Sequence, residues 1–325
     1  MEQTKMNNRE RRLLDRKQSK FGRLLHEIWK YKMLYLFLVP GLVYFIVFRF
    51  VPLAGYVLAF KDVTPFMTLE KMLQSDWVGL KHFKEFFNSY YFWNVFNNTV
   101  ILAACRICIE FTLPIILALL LNELHGKIYK LVIQTISYMP YFVSNVVLAG
   151  ICVTLLTTNG GLIPSIMEMM GEEGKYLLTD TNSFRGVLLT AIGWKNVGWS
   201  SIVYVAAMSG VDPQLYEAAS IDGASRLQKI FKITIPQISF SIVIMFIMRI
   251  GVIMNEGWEE TLLLYSAPVY SVSDILDTYV YRSAMESMRY SYSTAVSLFK
   301  CIIGFVLVTA SNWVAKLMGQ NNMYS

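Results

Sequence analysis

Charge is scarce in this sequence: Asp, Glu, Lys and Arg make up 16% of its 325 residues, against about a quarter in ordinary soluble domains. Three histidines and four cysteines leave little material for metal or redox chemistry. Cys105, Cys108, Cys152 and Cys301 all fall inside apolar runs, where a small hydrophobe is the simplest role. Cys105-Arg-Ile-Cys108 has metal-like spacing, but no second pair accompanies it. Walker A glycine loops, His-Glu-x-x-His helices and nucleophile elbows are missing too. The chain is therefore expected to hold no catalytic residue, no metal and no cofactor.

Apolar residues supply 55% of the chain, and the mean hydropathy is +0.44, which places it among integral membrane proteins. Roughly 20 apolar residues cross a bilayer as a helix. About six such runs are present: Met33–Phe60, interrupted by Arg49, then Thr99–Leu121, Leu131–Thr157, Val187–Met208, Ile238–Ile253 and Ala295–Val314. The expected fold is all-α and polytopic. The fifth run is short and carries Arg249, so it is expected to continue as a broken helix through residues 251–257. The first run follows a polar arm without a small-residue cleavage pattern and is expected to remain as an anchor.

Residues 1–32 hold ten Lys and Arg against four acids, the whole of the net charge of +6. A basic segment abutting a first span is what the positive-inside rule expects and suits an anionic leaflet, so nucleic-acid binding is the weaker explanation. With that arm in the cytoplasm, counting crossings puts residues 210–237 and the tail 319–325 inside as well. Inside segments then carry 16 Lys and Arg, outside ones 7. The division is a basic arm 1–32, a membrane region 33–318 and a short tail.

Inside the membrane region, Arg106 and Glu110 stand four apart and are expected to pair on one helix face. Pro140 is expected to kink or interrupt the third run, freeing carbonyls for Ser144 or Asn145 to satisfy or to face a cavity. The aromatic stretch 86–93 is expected as an interfacial belt, and the acids and tyrosines of residues 274–289 as a surface for a soluble partner.

The fourth run carries Trp194-Lys195-Asn196-Val-Gly-Trp199-Ser200. A central Lys alone costs roughly 2.5–3.5 kcal/mol on insertion scales, so these groups are expected to face protein or water. Trp194, Lys195, Asn196 and Trp199, with Asn255 and Trp258 beyond the fifth run, are the candidate lining of a substrate pathway: a wet cavity satisfies several polar groups at once, and indoles offer flat stacking faces. The competing reading makes the tryptophans interface anchors and pairs Lys195 with an acid such as Glu256.

One polar stretch, Asp212 to Pro236, interrupts the apolar runs. Asp212 is an N-cap, Pro213 fits a first helical turn, and Gly223 breaks the helix. Ser225 is placed to cap a second helix through Lys232, and Pro236 ends the unit. Ala218 and Ala219 give the first helix a smooth side, flanked by Glu217 and Asp222. A helix–bend–helix hairpin of this design fits a groove.

Glu217-Ala218-Ala219, Asp222-Gly223-Ala224 and Ile233-Thr-Ile-Pro236 together resemble the EAA loop of permease subunits of bacterial ABC importers, and the order of spans resembles the carbohydrate branch of that family. The resemblance implies a coupling loop, through Glu217, Ala218, Ala219, Asp222, Gly223, Ala224, Ile233 and Pro236, that docks in a groove of separate ATPase subunits. It further implies a homologous second permease subunit, an extracytoplasmic solute-binding protein, the lipid bilayer as surroundings and a sugar as cargo, moved by alternating access. The alternative is an integral-membrane enzyme on lipid or glycan, with Glu256, Glu259 and Glu260 as acids and Lys195 as base. That reading leaves the hairpin unexplained.

Overall fold

The computed structural model describes residues 29–158, 160–254 and 257–317. The arm up to residue 28, Asn255, Glu256 and the tail from residue 318 lie outside the described residues. The chain divides after Val57 into two compact units. In the first, α1 (Lys32–Phe45) contains Pro40 and continues through a π-turn, Ile46–Phe50. Its leucines, valines and aromatics are exposed all round, which is tolerable only where the solvent is hydrocarbon.

The second unit begins at Leu58. Besides short helices at Leu69–Gln74 and Leu162–Met169, it contains α2 (Lys81–Phe87), α3 (Phe92–Ile107), α4 (Leu113–Glu123), α5 (Lys127–Tyr138), α6 (Asn145–Leu156) and α7 (Phe184–Ser209). A hairpin of α8 (Pro213–Ile221) and α9 (Arg226–Lys229) follows, then α10 (Ser239–Ile253), α11 (Trp258–Leu264), α12 (Leu276–Tyr281) and α13 (Tyr290–Leu317).

Three helical stretches are long and apolar enough to cross a membrane, Lys32–Phe60, Phe92–Glu123 and Tyr290–Trp313. Two more qualify only as bent pairs, Lys127–Phe142 with Asn145–Leu156 at 99°, and Arg226–Gln237 with Ser239–Ile253 at 65°. The fourth run, at 26 residues, is long enough at about 39 Å, but its polar content keeps it out of that set. The third run is thus interrupted near Pro140 and forms two arms at nearly a right angle. Pro140 sits in a 3₁₀ turn, Met139–Phe142, and Ser144 caps α6 by accepting from the Val147 N–H.

Prolines explain most of the remaining irregularity. Three of the four π-turns among the described residues, Ile46–Phe50, Cys108–Thr112 and Ile230–Thr234, end two residues before Pro52, Pro114 and Pro236. A helical proline has no N–H, and its ring crowds the carbonyl four residues back; a wider turn moves that carbonyl aside. For this reason Pro236 does not end the hairpin's second arm: the chain stays helical through Ile235–Gln237 and bends at Ile238.

Helix α7 is the axis of the second unit. Near one end Phe184, Leu188 and Ile192 pack with Leu102, Leu148 and Leu264; near the other Tyr204 and Met208 pack with Ala118 and Ile238. Between them it touches backbone directly, because a Cβ at Gly198 would lie 1.8 Å from the carbonyl oxygen of Ser137.

Two expectations are corrected here. Phe86 and Phe92 are not belt residues: both are buried, in one cluster with Tyr279 and Tyr292, and only Phe87, Tyr90, Tyr91 and Trp93 remain exposed. Nor is the segment around residue 274 a surface. Asp274 is 1% exposed, paired with Arg282, and the Asn98 amide donates to the carbonyls of Ser271 and Asp274, both at 3.1 Å. Asp274 and Tyr279 fold inward onto partners distant in sequence, while Tyr281, Glu286 and Arg289 remain exposed.

Candidate functional site

Two sites emerge, joined by the same helices. The first is the hairpin. The Asp212 carboxylate accepts from the Gln214 N–H at 2.9 Å and starts α8, and Pro213 takes the first turn, where its missing N–H costs nothing. At the other end Gly223 adopts φ +76°, while Ala224 N–H bonds to Ala219 O at 2.9 Å and Gly223 N–H to Ser220 O at 3.1 Å. That is the Schellman closure, which needs a left-handed residue at the bend. Ser225 and Gln228 then form a reciprocal capping box on α9.

The two arms are tied by Tyr216 and Thr234, hydroxyl to hydroxyl at 2.9 Å, and by Lys229 Nζ donating to Ser220 at 2.6 Å. Between them lies a cavity of about 380 Å³ lined in part by Ala219, Asp222, Gly223, Ala224 and Ile233. Glu217, Ala218 and Pro236 are exposed around it. The hairpin also displays apolar side chains that nothing covers, Ile221 at 88% exposure and Leu227 and Phe231 at about two-thirds.

The second site is a cavity of about 550 Å³ bordered by α7, α10, α11 and the α5–α6 break. Lys195, Asn196 and Trp199 line it from α7, and Trp258 from α11. Trp194 does not: it lies about 200° round the helix from Asn196 and is half-exposed elsewhere. Asn255 lies outside the described residues.

Sequence reasoning missed most of the wall. Arg106, Tyr141, Asn145, Arg249, Glu259 and Glu260 line the cavity as well. Arg106 and Glu110 do pair, at 3.3 Å, but the fully buried Glu110 carboxylate also takes Arg249 and the Asn196 amide at 2.7 Å. A carboxylate shared by three donors from three helices is how a buried charge becomes tolerable. The π-turn Cys108–Thr112 carries Glu110.

Lys195 donates to Asn145 Oδ1, and Asn145 Nδ2 donates to Glu259 at 2.6 Å. Asn145 therefore bridges a cation and an anion rather than satisfying freed carbonyls. Trp199 stacks on Tyr141 with ring centroids 4.6 Å apart and planes 5° from parallel. Gly257 is required where it stands, since its φ is +80° and a Cβ would fall 1.3 Å from Arg106 Nη1.

Residues 111–322 match the family described as "Binding-protein-dependent transport system inner membrane component". The polygalacturonan/rhamnogalacturonan transport system permease protein YteP of Bacillus subtilis is 42% identical over 95% of this chain and 95% of its own length. Protein LplB of the same organism is 40% identical over 90% and 91%. A chain of a bacterial alginate ABC transporter, solved in complex with an alginate pentasaccharide-bound periplasmic protein, superposes with a TM-score of 0.85 at 33% identity, covering 93% of this chain and 100% of that one. The chain belongs to the family of binding-protein-dependent transport system inner membrane components.

Proposed function

We propose that this chain is one half of the translocation pathway of an ABC importer for an oligosaccharide. The observation that carries the reading is continuity. Helix α7, which lines the 550 Å³ cavity, ends at Ser209, three residues before the Asp212 cap of the hairpin. The hairpin's second arm leads within two residues into α10, which carries Arg249 to the same cavity. Displacement of the hairpin is therefore transmitted to the cavity wall through both of its arms, as rigid-body alternating access needs.

In this assembly Glu217, Ala218, Ala219, Asp222, Gly223, Ala224, Ile233 and Pro236 meet the groove of an ATPase subunit. A homologous permease closes the other half of the pathway, and an extracytoplasmic binding protein delivers the sugar. The basic arm 1–32, the hairpin 212–236 and the tail 319–325 face the cytoplasm, and the membrane region is 33–318. Lys195, Asn196, Trp199 and Trp258 meet the sugar; Asn255 belongs to the same proposal, and Trp194 is left to packing. The enzyme alternative finds no support in a family of transport subunits, and Glu259 is already engaged by Asn145.

Gly223→Leu tests the coupling. Space at Gly223 is open, but its φ is unfavourable to any side chain, so the protein should insert normally while import and substrate-stimulated hydrolysis are abolished. Normal uptake by this variant contradicts the reading. Single cysteines at Ser19 and Ser225, in a background without native ones, should resist an impermeant thiol reagent on intact cells; labelling of either overturns the orientation.

A further inference from the structure

The cavity treats its three cations unequally. Arg106 and Arg249 both reach the carboxylate of Glu110. Lys195 is 9% exposed, and among the described residues its ammonium meets the side-chain oxygen of Asn145, a neutral amide whose NH₂ is committed to Glu259. An ammonium has three donors, and a cation removed from bulk water is best matched by an anion. The wall thus holds a positive charge with donors to spare, facing a cavity of ligand size.

What lies beside it specifies the anion's carrier. Trp199 stands four residues after Lys195 on α7, so the two share a helix face, and its indole is held flat by the stack on Tyr141. A flat aromatic surface one helical turn from an ammonium complements a pyranose ring bearing a carboxylate, with the ring's C–H face on the indole and the carboxylate on the ammonium. Glu259 is engaged by the Asn145 amide at 2.6 Å, which leaves the remaining donors of the Lys195 ammonium as the cationic contact beside the indole. Resting on the pathway reading above, we infer that Lys195 is a specificity-determining residue that selects uronate-containing oligosaccharides over neutral ones.

The test uses the complete importer, with its partner permease, ATPase and binding protein, in proteoliposomes. The probes are α-1,4-linked trigalacturonate and the same trisaccharide with its carboxyls reduced. Wild type should prefer the acidic sugar, and Lys195→Met should lower the ratio of acidic to reduced sugar taken up about tenfold or more, the scale of losing a charge-assisted contact. Lys195→Arg should keep the preference. Lys195→Gln, which retains a donor for Asn145 without the charge, is read in parallel in case the Met variant fails to accumulate, and should lose the preference too. Trp199→Ala should depress uptake of both sugars. If Trp199→Ala depresses both while no Lys195 variant changes their ratio, the selection is overturned and the pathway stands. If neither position affects either sugar, the pathway reading falls with it. A wild-type importer that prefers the reduced sugar, or imports neither, also overturns the inference.

Discussion

The hairpin and the cavity are built by opposite means. The hairpin is tied by bonds between residues two to eighteen positions apart, stands largely exposed, and owes its shape to a cap, a left-handed glycine and a capping box. The cavity wall is tied by bonds spanning 50, 86 and 114 positions, and Arg106, Glu110, Lys195 and Glu260 are buried. A locally determined element moves as one body without consulting the rest of the fold, which suits a lever. A wall that depends on several helices at once changes whenever any of them shifts, which suits a gate.

If that contrast is right, substitutions in the wall should damage folding and those in the hairpin should damage transmission. The largest effect is expected from Glu110→Leu, which removes the carboxylate shared by Arg106, Arg249 and Asn196. Breaking a buried charge pair costs about 3–5 kcal/mol, so little folded protein should survive in the membrane, read by detergent thermal unfolding. Wild-type stability would mean that Glu110 is not the anchor of the wall.

Next comes Gly198→Ala, whose Cβ would collide with the Ser137 carbonyl oxygen. Overpacking costs about 1–3 kcal/mol, and the same thermal assay should show a lowered midpoint while the hairpin remains able to stimulate hydrolysis. Ser225→Ala removes a helix cap, worth about 1 kcal/mol, and here the global midpoint should hardly move. Import should fall relative to hydrolysis instead; equal loss of stability and transport would erase the distinction between the two regions.

The smallest effect lies outside both. Asp62 and Lys81 pair at 2.8 Å on an exposed surface, and the Lys81 hydrogen bond holds the Asp62 carboxyl below its ordinary range. A depressed folded-state pKa contributes stability that is present above the unfolded value and lost as pH falls through the folded one, here below about pH 4. Exposed pairs are worth little, so Lys81→Ala should lower stability only slightly at neutral pH and not at all well below pH 4, which flattens the acid limb of a pH–stability curve.

The same contrast decides what was legible in the sequence. Asp212, Gly223 and Ser225 announce the hairpin because caps and left-handed turns are local, and the one misjudged feature, the stop at Pro236, was absorbed by a π-turn. The Arg106–Glu110 pair was readable for the same reason, being one helical turn apart. Arg249 and Asn145 were not placed in the wall because nothing local links them to Asn196 or Lys195, whereas Glu259, beside Trp258, entered only as an acid of the enzyme alternative. Trp194 was grouped with Trp199 by proximity in sequence, whereas helical geometry puts it on another face. Phe86 and Phe92 looked like a membrane belt until Tyr279 and Tyr292, nearly 200 positions later, covered them.

The account stands on the link between hairpin and cavity, and one accessibility measurement reaches it directly. Ser200 lines the cavity; as a single cysteine in the reconstituted importer without native cysteines, Ser200→Cys reports whether the cavity opens outward to an impermeant thiol reagent. Labelling from outside should rise when the ATPases are trapped with ATP and remain low without nucleotide, and adding Gly223→Leu should abolish that rise. Labelling that ignores nucleotide, or that follows it equally well with Gly223→Leu in place, would contradict the claim that the hairpin drives the cavity.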